Sequence, residues 1–146
     1  MNILNIHRGQ DTGGQGWRLA DAFRRLEPEW SFRSMYRPNA FVYIDYPTDL
    51  EWDPDLAKQL YQEADVVHLH NGFATADILE RYRHRKPSVV HYHGTAFRTN
   101  PRAFLNKQEQ RRSIGLVSTL DLWLIRPDRL EWLPSPYNLA ELACMS

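Results

Sequence analysis

Cysteine is almost missing from this chain. One residue, Cys144, stands near the end of 146, so neither a disulfide framework nor a cysteine-based zinc site is available. Long apolar runs are missing too. Runs such as Val66-Val67 and Ile114 to Val117 fall far short of the ~20 residues that span a bilayer. Met1 to His7 has no charged stretch followed by an apolar core. It does not read as a secretion signal, and the expected location is cytoplasmic. Neither sign of charge is in excess: 18 Lys+Arg stand against 18 Asp+Glu. That balance argues against a general nucleic-acid or membrane binder. Low-complexity tracts and internal repeats are also lacking. What is present is a globular composition, 42% hydrophobic and 12% aromatic, in a length that suits one domain.

Neutrality hides a split. Residues 45–65 hold seven acids and the single base Lys58, whereas residues 81–112 hold nine bases and the single acid Glu109. The basic segment runs through Arg81, Arg83, Arg85, Lys86, Arg98, Arg102, Lys107, Arg111 and Arg112, with Tyr82, Phe97 and Phe104 interleaved. Such a run is either a solvated face or a surface for an anionic partner, such as a lipid headgroup or a charged polymer.

Hydrophobic spacing predicts strands alternating with helices. Asn2 to His7 reads as a buried strand and Trp17 to Leu26 as a helix, with Leu19, Ala22, Phe23 and Leu26 on one stripe. Strands follow at Trp30 to Tyr36 and at Phe41 to Tyr46. Asp53-Pro54 starts a helix striped by Leu56, Leu60 and Tyr61. Asp65 to His70 is the fourth strand, and Thr75 to His84 a helix with Ile78, Leu79 and Tyr82 inward. Pro87 to His93 is the fifth strand. Asn100-Pro101 opens a helix striped by Phe104, Leu105 and Gln108. Ser113 to Ser118 is the sixth strand, and Leu120 to Ile125 a short helical turn. The fourth to sixth strands are nearly apolar, as strands covered on both faces are. The expected fold is therefore α/β: a single doubly wound, Rossmann-like domain with a mainly parallel sheet.

Ligands of open α/β sheets bind beyond the carboxyl ends of the strands. Five of the six histidines fall there: His7, His68, His70, His91 and His93. Alternation puts each His-x-His pair on one face. Three readings stand side by side: a metal site, hydrogen-bonded packing and ligand contact. No carboxylate follows at a ligand-like spacing, so no metal is expected. His68 and His91, deeper in their strands, suit packing; His93, next to Gly94, suits a ligand as well as packing. The loop Asp11 to Gly16, with Gly13, Gly14 and Gly16, suits either a phosphate or a tight turn. It is neither a dinucleotide fingerprint, since position 19 is Leu, nor a P-loop. Ser118 and Thr119 lack a nucleophile-elbow context, and no paired carboxylates stand at strand ends.

Four stretches in this order resemble the N-terminal half of a retaining GT-B glycosyltransferase. They are the glycine loop with Gly13-Gly14, Asp65-Val66-Val67-His68-Leu69-His70, then His93-Gly94-Thr95-Ala96-Phe97-Arg98, and Val117 to Leu122 with the exit Trp132 to Pro136. The resemblance covers nearly the whole chain. It implies a Rossmann-like domain over 1–136 and, at 137–146, a tail where the linker to a second domain would lie. Ser135 and Asn138 stand where the family usually has Asn or Gly and Asp. The family's N-terminal domain mainly holds the acceptor, and its C-terminal domain the nucleotide-sugar. By the resemblance, Gly13 and Gly14 would approach the donor diphosphate and His93 would be the catalytic residue at the reacting centre. His7, His70, Gly94 and Arg98 would line the acceptor side. No cofactor and no metal are implied. The implied partners are a nucleotide-sugar donor, a sugar or lipid-linked acceptor, and a separate donor domain or a second copy. Peripheral membrane contact through the basic stretch is also implied; nucleic acid is not. The expected product is a half-enzyme, or else a non-catalytic binding module that uses the basic face.

Overall fold

The computed structural model describes residues 1–7, 15–36, 49–81 and 84–134. Among these residues seven strands form one sheet: β1 (Asn2–Ile6), β2 (Ser31–Tyr36), β3 (Leu50–Glu51), β4 (Val66–His70), β5 (Ser88–Tyr92), β6 (Ile114–Val117) and β7 (Leu130–Trp132). Every pairing is parallel, and the order is β3-β2-β1-β4-β5-β6-β7. The helices are α1 (Gln15–Leu26), α2 (Pro54–Glu63), α3 (Ala74–Glu80), α4 (Gly94–Thr99), α5 (Pro101–Arg111) and α6 (Leu120–Trp123). This is the doubly wound, Rossmann-like architecture that the alternation predicts.

Two stop-start signals work as physics requires. Asp53 caps α2: its Oδ1 accepts the N–H groups of Asp55 and Leu56 at 3.0 and 2.7 Å, and Pro54 supplies a preset first turn. Asn100 caps α5 in the same way through the Ala103 N–H at 3.3 Å, followed by Pro101. Arg112, left-handed at φ 53, ends α5.

The sheet leaves β1 in two directions, toward β2 and toward β4. Right-handed crossovers then place helices on opposite faces. Leu19, Ala20 and Phe23 of α1 pack on Ile3 and Phe32 on one face. On the other, α2 to α6 contribute Tyr61, Leu79, Phe97, Leu105 and Leu122 to the main core with Leu4, Ile6, Val67, Leu69, Val90 and Tyr92.

Several local expectations change. Leu79 is buried as expected, but Ile78 is 52% exposed and Ala76 takes the inward place beside Leu79. Leu26 is 76% exposed because α1 ends there, and the buried stripe is Gly16, Leu19 and Ala20. His93 lies just after β5 and stands at the start of α4, which spacing did not reveal. The strand β7 was hidden within the expected exit. The strand expected at Phe41 to Tyr46, Tyr82, Gly13, Gly14 and the boundary at 136 lie outside the described residues. No helix among the described residues is long and apolar enough to cross a membrane.

Candidate functional site: a histidine stack at the switch point

Side chains alternate along a strand, so Asn5 and His7 share a face with Ile3, His70 with His68, and His93 with His91. The register aligns these faces. Asn5 lies beside Ser34 on β2 and His68 on β4, and His70 lies beside His91 on β5. His93 keeps extended backbone, φ −123 and ψ 139, so the alternation continues past the strand.

The result is one contiguous stack of five imidazoles. Ring centroids of His7 and His70 are 3.6 Å apart, His68 and His70 4.7 Å, His91 and His93 4.4 Å, and His70 and His93 5.0 Å. All five sequence-flagged histidines are brought together. The pair at its centre, His7 and His70, follows β1 and ends β4. These are the two strands between which the winding reverses, the position where ligands of this architecture sit.

A polar chain runs through the stack. Asn5 Nδ2 donates to Ser34 Oγ at 2.9 Å. Asn5 Oδ1 lies 2.7 Å from His70 Nε2, and His70 Nδ1 lies 2.7 Å from His93 Nε2. The His93 N–H donates to Asn71 Oδ1 at 2.8 Å. Ser118 Oγ bonds His91 Nε2 at 2.5 Å. Among the described residues, His68 Nε2 and His91 Nδ1 are buried without a hydrogen-bond partner.

Burial keeps four of the rings, His7, His68, His70 and His91, neutral. Desolvation penalises an imidazolium far more than an imidazole. It pulls His7 and His68 from 6.5 down to about 3 and His91 to about 2, and holds His70 well below 6.5. Repulsion from neighbouring histidines adds to each shift.

One nitrogen each from His70, His91 and His93 lies within 4.8 Å of the others, a set that could hold a metal ion. Two nitrogens on one tetrahedral zinc stand about 3.3 Å apart, given bonds near 2.05 Å. The 2.7 Å between His70 and His93 is shorter, and it fits a shared proton.

The surrounding loops are shaped around the stack. Gly16 begins the packed part of α1, and a Cβ there would sit 2.6 Å from His7 Nε2, 2.8 Å from Asn5 Nδ2 and 2.9 Å from Ser34 Oγ. Only glycine lets the helix approach so closely. Gly94 has φ 49, a conformation that L side chains rarely adopt, and it turns the chain from His93 into α4. Asn71, also left-handed at φ 54, precedes Gly72 at φ 128. That turn borders a cavity of about 410 Å³, lined by Asn71, Thr75, Asn100, Phe104 and Lys107 among others. Arg98 points elsewhere: its Nε and Nη2 bond Asp121 Oδ2 at 2.9 and 2.6 Å, tying α4 to α6.

The sequence does not single out Asn5, Ser34 or Asn71, and it offers Ser118 only as a nucleophile without its context. Asn5 and Ser34 could have been found from alternation, because each is a polar residue on the histidine side of a predicted strand. The pairing of His93 with Asn71 depends on a turn that spacing does not encode.

Four of the nine bases in the basic segment, Arg85, Arg98, Lys107 and Arg111, pair with acids. Arg111, with a side chain 5% exposed, bonds Asp77 at 2.7 Å and also Glu80, and its guanidinium lies 4.9 Å from the Phe73 ring centroid. Lys107 pairs with Asp77, and Arg85 lies 3.6 Å from Glu80. Arg111 therefore belongs to the interior and not to a solvated face.

No protein-family model matches this chain, and no curated protein matches it either.

Proposed function

We propose that the chain is the acceptor-side domain of a retaining GT-B-type glycosyltransferase. A second Rossmann-like unit, in this or another chain, would supply the nucleotide-sugar pocket. The observation that carries this reading is the stack's position: His7, His70 and His93 gather at the switch point. The stretches that resemble the family fall in order at the carboxyl ends of β4, β5 and β6. In this reading His93 stands at the reacting centre beside the transferred sugar and the acceptor hydroxyl. Gly94 shapes the turn. Arg98 supports that turn through Asp121 and does not take an anionic acceptor group. Gly13 and Gly14 approach the donor diphosphate.

The competing reading, a docking module with a basic face, loses strength because Arg111, Lys107 and Arg85 have local carboxylate partners.

The test is a protein-observed NMR titration of the whole, isotopically labelled chain with uridine and guanosine diphosphate sugars and with neutral glycosides. Chemical-shift changes at His7, His70, His93 or Gly94, abolished by His93→Ala, are expected. If none of these ligands moves any of those resonances, the reading is wrong.

A further inference from the structure

Two strands and one turn bring three imidazoles together. His70 ends β4, His91 lies beside it in register on β5, and His93 follows β5 on the same face. One ring nitrogen from each lies within 4.8 Å of the other two. Two of these rings are already held at one nitrogen. His70 Nε2 lies 2.7 Å from Asn5 Oδ1, and His91 Nε2 lies 2.5 Å from Ser118 Oγ. Their other nitrogens are differently used. His70 Nδ1 meets His93 Nε2 at 2.7 Å. His91 Nδ1 is buried without a hydrogen-bond partner among the described residues. Rings fixed through one nitrogen, with the other turned over to a common ion, are the pattern of metal-ligating histidines.

We propose that His70, His91 and His93 form a three-histidine site for a divalent transition-metal ion, zinc foremost, with His70 Nδ1, His91 Nδ1 and His93 Nε2 as its ligands. The site stands on the ring positions and does not rest on the transferase reading. Linear spacing shows no carboxylate after either His-x-His pair, and the register supplies a third imidazole in its stead. A ligand set made only of ring nitrogens suits zinc, copper or nickel. Magnesium and calcium demand oxygens. Zinc with three protein ligands keeps a fourth position open. His93 is the half-buried member of the three, so that position faces the crevice on its side.

The 2.7 Å between His70 and His93 fits a hydrogen, and the ion takes that hydrogen's place. The hydrogen passes to water or to the far nitrogen of its own ring. The two ligand atoms then part to about 3.3 Å. His93 supplies the movement, because it lies beyond the strand ladder, which ends at Tyr92, and is less buried than its two neighbours.

The experiment takes the full chain, stripped of metal with a chelator, near neutral pH. Zinc chloride is titrated by calorimetry, and cobalt chloride by visible absorption. One ion per chain and the intense bands of tetrahedral cobalt are expected, and magnesium chloride should give neither signal. Ser118→Ala, which releases the far side of His91, should weaken zinc about 10–100-fold. His93→Ala removes a ligand outright and should weaken it by more. Exposed His84 and the lone thiol Cys144 lie outside the set. His84→Ala and Cys144→Ser should bind zinc as the unmodified chain does. If His93→Ala does not fold, His93→Phe keeps a flat ring in the stack without a ligating nitrogen. No heat and no cobalt bands at millimolar metal overturn the proposal. So does unchanged zinc affinity in folded His93→Ala or His93→Phe, or binding that Cys144→Ser abolishes. No sugar nucleotide or glycoside enters these titrations, so the transferase reading can fail while the metal site stands, and the reverse.

Discussion

Toward the carboxyl ends of the strands, the two faces of one sheet are built on opposite principles. On the face toward α2 to α6, Leu4, Ile6, Val67, Leu69, Val90 and Tyr92 are buried apolar groups. One residue away along the same strands, Asn5, His68, His70 and His91 are equally buried and polar. Backbone, register and pairing are shared, so the difference lies in side-chain chemistry alone. The apolar face gains from leaving water without conditions. The polar face must satisfy each group it hides and must keep its imidazoles uncharged. Stability is thus insensitive to pH on one face and conditional on pH on the other.

Acid should expose that contrast most strongly. Four rings, those of His7, His68, His70 and His91, have folded pKa values below the unfolded 6.5. Below 6.5 the unfolded chain takes up protons that the folded chain refuses, so stability falls as pH falls, and continues to fall toward about 3 for His7 and His68. Each ring contributes about 1.4 kcal/mol per pH unit once well below 6.5. The four shifts share one sign, so acid weakens all of these sites in the same direction. Urea titrations followed by tryptophan fluorescence should show a steep loss between pH 7 and 5. Equal midpoints at those two pH values would erase the distinction between the faces.

On the apolar face, Leu69→Ala should cost about 2–5 kcal/mol at every pH, since it leaves a cavity and no charge. A pH-dependent penalty in the same titrations would show that the faces are not separable. Gly16→Ala is next in size. Its Cβ meets three buried polar atoms, and overpacking of this kind costs about 1–3 kcal/mol. The imidazole spectra of His7 and His70 should shift with it; a neutral effect on both counts would mean α1 can retreat freely. His68→Leu should be the mildest. It removes a buried nitrogen that has no partner, so stability at pH 7.5 should change by under about 1 kcal/mol. The acid slope should drop by one ring's share, and an unchanged slope would remove His68 from the account.

Much of this was legible in the sequence because the signals are local. Alternation in Val66 to His70 and Ser88 to Tyr92 sets both the strands and the face their histidines share. Asp53-Pro54 and Asn100-Pro101 mark helix starts by hydrogen-bonding chemistry that needs no tertiary context. The illegible parts depend on distant contacts. Arg111 looked like surface charge because nothing within its own helix announces that Asp77 and Glu80 of α3 lie beside it. The α4 helix is six residues long and begins at a glycine, so it has neither stripe nor cap to betray it. The polar chain was half visible: the histidines stood out, whereas Asn5 and Ser34 acquire meaning only when register sets them side by side.

The described sheet ends on strands of two and three residues, β3 and β7. A strand rim is a template, because its open N–H and C=O groups invite another chain to copy the pattern. Rims this brief offer an incoming strand little to hold. Among the described residues the sheet is thus guarded against runaway growth by shortness, a safeguard that demands no special side chains and leaves the inner strands β1, β4 and β5 free to carry the chemistry.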